Sequence, residues 1–410
     1  MSVHFQSAAA ALAEQDPVIK ELVHGEVEHG VLIPLKTTLE LRDDHLTGNV
    51  LITRTPVKCA NPAISMLRDL LPEDIVKGVP HLRRCAKPCD LPAHLKTEFM
   101  NENPQSRAIH TGKSSWIYII LGPEASLSRD EVARALSTLD GMEGDIFIRP
   151  VPVPMVSPTS QMQAAMWSQH FWPTIYRKNN PLGPHPSMVA RYTDEISKDA
   201  AIWMTLAHQV ASQGKDAGFG EPIGACIIQR DEDKVTVVAL ACDARYRQQE
   251  KLGLEGNPLA HAAMRAISQV AQKLVRAEDK QTETHPTPII EFDAFQDLPI
   301  LPDEQAVFAI EHPNPDGYLC HGLELYLTHE PCIMCSMSIL HSRVGKTIFR
   351  RRMPLTGGFC AEHRGFHEGK DSGNGLGLFW RRELNWSLTA WEWESSGSLP
   401  QLPVGKHTHA

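Results

Sequence analysis

Asn257–Met264 reads NPLAHAAM and Thr328–Cys335 reads THEPCIMC, and these two stretches decide how the chain is to be read. Cys332 and Cys335 form a Pro-Cys-x-x-Cys group that opens a helical segment directly after an apolar strand, LELYLT. Spacing of i, i+3 lets both sulfurs converge on one ion, and a helix N-terminus favours the thiolate form a metal requires. His261 stands at the corresponding place on its own segment, where Asn257 reads as the N-cap and Pro258 as the first helical residue. Ala260, Ala263, Met264, Ile267, Val270, Ala271 and Leu274 then follow the spacing of one buried helix face. Zinc takes about four ligands in tetrahedral array and prefers imidazole nitrogen and thiolate sulfur. His261, Cys332 and Cys335 are therefore expected to bind Zn2+, with the fourth ligand open. Taken singly, a helix-start histidine is more often structural and an isolated Cys-x-x-Cys can be a redox pair. A redox pair belongs near the N-terminus of a small thioredoxin-like domain, and Cys332 comes late in the chain.

Outward from these segments the pattern is regular. From Met188 come a helix in DEISKDAAIWMTLAHQVASQ, strands in PIGACIIQR and KVTVVALAC, the His261 helix, the strand LELYLT, the Pro331 helix and the strand GKTIFR. Alternating helices and strands predict an α/β fold, a sheet sandwiched between helices, over residues 188–396. Residues 278–317 are polar, proline-rich and aperiodic, which predicts an insertion that is partly disordered. Residues 397–410 read as a flexible tail. Ahead of this lies a smaller α+β N-terminal domain, residues 1–150, with strands in GVLIPLKT, SSWIYIIL and DIFIRPV and helices in NPAISMLRDLL and SRDEVARALSTLD. Four prolines in Arg149–Ser160 cannot occupy a helix interior or a central strand, so residues 151–187 read as a linker with one short helix.

With 410 residues and 42% hydrophobic content, the chain can bury more than one core. No run approaches the roughly 20 apolar residues of a membrane span, and MSVHFQSAAAALAEQDP lacks the basic start and apolar stretch of a secretory signal. An intracellular protein, nuclear or cytoplasmic, is expected. Nine cysteines, an odd number, with two in Cys-x-x-Cys favour metal chemistry over a disulfide scaffold. A net charge of −9 argues against a generic polyanion binder. Any nucleic acid must meet local clusters: Arg83, Arg84 and Lys87; Arg343, Lys346, Arg350, Arg351 and Arg352; or Arg381 and Arg382.

The segments NPLAHAAM, LYLTHEPCIMCSMSILHSRVGKTIFRR and GLGLFWRRELNWSLTAWEW, within Met188–Trp393, resemble the non-catalytic subunit of eukaryotic tRNA-specific adenosine deaminase, of the cytidine deaminase-like superfamily. HLRRC and WPTIY are weaker echoes ahead of that region. The resemblance implies a zinc site at His261, Cys332 and Cys335, a catalytic deaminase partner, and tRNA as substrate. Zinc deaminases place a glutamate two residues after the histidine to move protons during hydrolysis. Here Ala263 occupies that position, so no catalytic residue is assigned and the chain is expected to be inactive alone. Glu255 and Glu330 are the carboxylates that could substitute. The resemblance also suggests tRNA contacts at Arg83, Arg84, Lys87, Arg350, Arg351, Arg381 and Arg382, and a subunit interface at His341 and Arg343. Two alternatives stay open: a free-standing nucleoside or nucleotide deaminase with a displaced acid/base group, and an interaction protein without an RNA role.

Overall fold

The computed structural model describes residues 17–24, 27, 29–41, 47–70, 79–102, 106–110, 114–142, 146–178, 180–231, 234–248, 256–281, 297–362, 374–395 and 402–410. The chain divides into two compact units, one of Met1–Leu41 with Pro186–Ala410 and one of Arg42–His185. The first unit begins with α1 (Pro17–Leu22) and β1 (Gly30–Pro34). The second contains β2 (Thr47–Pro56), α2 (Ala60–Leu70), β3 (Cys85–Ala86), α3 (Ala93–Asn101), α4 (Ser106–Ile109), β4 (Trp116–Pro123), α5 (Arg129–Ser137), β5 (Ile148–Pro154) and α6 (Gln161–His170). The first unit resumes with α7 (Pro186–Ile196), α8 (Ala200–Asp216), β6 (Gly224–Arg230), β7 (Val235–Cys242), α9 (Ala262–Gln281) and α10 (Pro302–Ala309). It closes with β8 (Glu324–His329), α11 (Ile333–His341), β9 (Lys346–Arg351) and β10 (Thr389–Ser395).

The larger sheet has the order β1-β10-β9-β8-β6-β7. Its middle, β10-β9-β8, is parallel, and β1, β6 and β7 run antiparallel to their neighbours. Alternate residues face opposite sides, as a pleated strand requires. On β8, Leu325 and Leu327 join the core under α9 and α11, while Tyr326 joins the one under α8. On β6 the same split separates Ala225 and Ile227 from Cys226 and Ile228. The helix-sheet-helix sandwich expected from the alternation of elements is present. The smaller unit is α+β, an antiparallel sheet of order β3-β4-β2-β5 with a core on each face.

The boundaries differ from the sequence reading. GVLIPLKT is strand β1, but it pairs with β10 of the larger sheet, Gly30 opposite Ser395 through Pro34 opposite Trp391. Gly30 has room there for no side chain, since a Cβ would sit 2.1 Å from the Trp393 ring. The proline-rich stretch is no seam: Pro150, Pro152 and Pro154 lie in β5, which is an edge strand among the described residues, and the smaller unit continues to His185. An edge strand is where a sheet tolerates missing N–H groups.

Three further corrections follow from hydrogen bonding. Asn257 does not cap a helix; its Oδ1 accepts the Leu259 N–H at 3.0 Å in a local turn, and α9 starts later, with the His261 carbonyl accepting the Arg265 N–H at 2.9 Å. Of the expected insertion, residues 282–296 lie outside the described residues, while α10 is built into the core. Buried Glu304 accepts from Arg265 Nη1 and Nη2, from Cys242 N at 2.8 Å and from Ile300 N at 2.7 Å. Residues 402–410 are docked rather than free, with Leu402 and Ala410 buried.

Candidate metal centre

The site is made by two helix starts brought side by side on one face of the larger sheet. Cys332 occupies the N-cap of α11 directly after β8, and Cys335 lies in its first turn. His261 opens α9, which packs beside α11. All three side chains are buried, and their ligand atoms lie within 4.8 Å of one another. The Cys332 and Cys335 sulfurs are 3.7 and 3.3 Å from His261 Nδ1. Usual Zn–S and Zn–N lengths at tetrahedral angles put sulfur and nitrogen about 3.5 Å apart. The donor set therefore fits zinc in both chemistry and spacing. The Cys332 thiol is pulled down, first because the Cys335 thiol donates to it and then through His261, against the effect of burial. Cys335 is pushed up, first by that same bond and then by burial.

No aspartate or glutamate joins this cluster among the described residues. Ala263 is buried and presents only a methyl group. Glu330 cannot replace the missing acid, because its carboxylate is already committed. Oε2 accepts from Met353 N at 2.9 Å, and Oε1 from Phe359 N at 3.0 Å and Cys360 N at 2.7 Å. It folds residues 353–360 around itself so closely that a Cβ on Gly357 would lie 2.2 Å from it. Glu255 lies outside the described residues.

The C-terminal segment occupies the remaining side. Ala410 packs in the same apolar cluster as Ala263, Cys332 and Cys335, and its main-chain oxygen accepts the Cys332 N–H at 2.8 Å. Arg245, held by Asp243, donates to the His409 carbonyl at 2.6 Å, and the Thr356 hydroxyl donates to the Thr408 carbonyl at 2.7 Å. Sequence reading missed this segment, since HTHA carries no periodicity or motif that would dock it.

The other singled-out residues are dispersed. Arg343 ends α11 in the left-handed region, φ 64°, where its N–H bonds to Leu340 O and that of Val344 to Ile339 O. Its guanidinium donates to Asn385 O and lies 5.1 Å from the Trp386 ring centroid. His341, two residues earlier, is exposed. Arg350 is 3.2 Å from His208 Nε2, Arg351 donates to Leu402 O, and Arg381 to Leu376 O; Arg382 is exposed. Arg83, Arg84 and Lys87 lie close together in the smaller unit.

Two helix starts present histidine and Cys-x-x-Cys from one face of a mixed sheet, the arrangement of a cytidine deaminase-like domain with a donor set that fits zinc. Residues 197–351 match the cytidine and deoxycytidylate deaminase zinc-binding region. The chain is 27% identical over 294 residues to tRNA-specific adenosine deaminase subunit tad3 of Schizosaccharomyces pombe, covering 72% of this chain and 73% of that one. It is 24% identical over 259 residues to the subunit TAD3 of Saccharomyces cerevisiae, covering 62% and 61%. It is 28% identical over 212 residues to the human probable inactive tRNA-specific adenosine deaminase-like protein 3, covering 50% and 54%. The chain is thus a relative of the Tad3-type subunits of tRNA-specific adenosine deaminases. No described helix is long and apolar enough to cross a membrane.

Proposed function

We propose that this chain is the non-catalytic, zinc-binding subunit of a heterodimeric tRNA adenosine deaminase that converts wobble adenosine to inosine. The observation that carries the reading is Ala263 beside an intact His261, Cys332 and Cys335 triad. A deaminase needs a positioned acid/base group, worth on the order of 10²- to 10⁴-fold in rate. A methyl group transfers no proton, Glu330 is held by three backbone amides, and the C-terminal segment fills the space beside the ligands.

His261, Cys332 and Cys335 would hold zinc here as a structural tie between the starts of α9 and α11. In an active deaminase, zinc lowers the pKa of the attacking water. In this chain the ligands would instead join two helix starts, His261 and Cys332 being 71 residues apart, and structural zinc contributes folding free energy directly. Cys335→Ser is expected to drop zinc content from one ion per chain to below a tenth, with a lower Tm.

The reading includes an intracellular complex with a catalytic partner and tRNA. The deciding experiment measures inosine in tRNA with this chain alone, a catalytic deaminase subunit alone, and the two mixed. Inosine only in the mixture is the expected outcome. Inosine from this chain alone would overturn the reading.

A further inference from the structure

The smaller unit contains a cleft of about 420 Å³ that the metal centre does not involve. Its apolar wall is formed by Val79, Leu82 and Ile120, and its cations are Arg83, Arg84 and Arg177. Arg177, absent from the clusters read in the sequence, reaches this cleft from residues far along the chain.

Arg84 is the unusual member. Its Nε and Nη2 are buried and have no hydrogen-bond partner among the described residues. Two buried N–H donors without an acceptor are costly, and buried donors are nearly always satisfied. Burial and the charge of Arg68 both push the Arg84 guanidinium below the usual arginine range. The fold nevertheless holds this stretch firmly. Arg83 N donates to Pro173 O at 2.8 Å, Trp172 Nε1 donates to Arg83 O at 2.8 Å, and Ile120 N donates to Arg84 O at 2.9 Å. The main chain that carries these cations is fixed before any ligand arrives, which lowers the cost of binding one.

We infer that this cleft binds one nucleotide, its phosphate taken by Arg84 with Arg83 and Arg177 and its base laid against Val79, Leu82 and Ile120. A planar guanidinium fork matches phosphate oxygens in pairs, and three arginines line this one cleft. The volume suits one nucleotide and lies in the ordinary range of small-molecule sites. The nucleotide belongs to RNA if the tRNA-binding reading above holds; a free mononucleotide presents the same chemistry.

The test titrates the full-length chain with adenosine 5′-monophosphate, inorganic phosphate and whole tRNA at two salt concentrations. Arg84→Met is compared with wild type and with the double variant Arg83→Gln, Arg177→Gln, which changes only exposed positions. Both variants are expected to lose monophosphate binding and to weaken tRNA about tenfold, with the salt slope reduced by about 1 per lost phosphate contact. Arg84→Met should melt no lower than wild type in the absence of ligand, because it removes an unpaired cation. Monophosphate binding lost with tRNA affinity unchanged would support the pocket and assign it a free nucleotide. Wild type that binds tRNA but neither monophosphate nor phosphate, with tRNA affinity unchanged in both variants, overturns the pocket and leaves the tRNA reading standing. Wild type that binds monophosphate but no tRNA supports the pocket and removes the tRNA reading.

Discussion

Ala263 puts a methyl group where a deaminase needs a carboxylate, and its surroundings have closed over the change. It packs in the apolar cluster that also contains Ala410, so a charge introduced there meets no water and no cation side chain of that cluster. Ala263→Glu is therefore expected to cost at least about 2 kcal/mol and to produce no inosine from the chain alone; melting and inosine analysis check both parts. Two buried histidines set an acid limit. His208 is held down to about 3 by burial and by Arg350, and His329 to about 4 by burial and by Arg351. Unfolded, both titrate near 6.5, so the unfolded chain binds the extra protons between those limits. Their stabilisation is complete above about pH 6.5 and is lost as pH falls towards 4, on the order of a few kcal/mol for each group. His329→Gln should flatten that part of the stability-pH curve in urea titrations. Arg343 in the left-handed region predicts a different ordering: Arg343→Gly should be more stable than Arg343→Ala by about 1 kcal/mol, since only glycine adopts that conformation freely.

α9 and α11 each carry their ligands at the first turn, where helix backbone N–H groups and the macrodipole favour thiolate. Their pairing is tertiary, made by α9 packing directly beside α11. α10 is tied to α9 through the Arg265–Glu304 pair, both members almost fully buried, while its Val307 packs in the core under α8. Glu304→Gln leaves the guanidinium without its counter-charge and is expected to cost about 3 kcal/mol or more in thermal or urea unfolding. The segment 402–410 behaves as an element without regular structure. It satisfies the Cys332 N–H and the Arg245, Arg351 and Thr356 donors with its main-chain oxygens. Deleting it should speed zinc loss to a chelator by about tenfold or more, read from the release rate at fixed pH, because those donors and the ligand face become open to water.

The units are unequal in what they need from each other along the chain. Arg42–His185 holds a sheet covered on both faces by its own helices, so residues 42–185 expressed alone are expected to melt cooperatively. A piece cut at 1–150 divides β5 and carries β1 away from β10, and is expected to aggregate or melt broadly in the same measurement. The local sequence already contained the ligand triad, the missing carboxylate, the alternation that makes a helix-sheet-helix sandwich, and the extended segments of the smaller sheet. These are short-range properties: period, spacing and donor chemistry can be read within a few residues. It did not contain the partner of β1, the edge position of the proline-rich β5, the commitment of Glu330, or the docking of residues 402–410. Nor did it place Arg177 beside Arg84. Each of those depends on which distant backbone groups need a hydrogen-bond partner or a covering side chain once the sheets close. Such pairings have no local period to announce them, and the folded chain alone settles them.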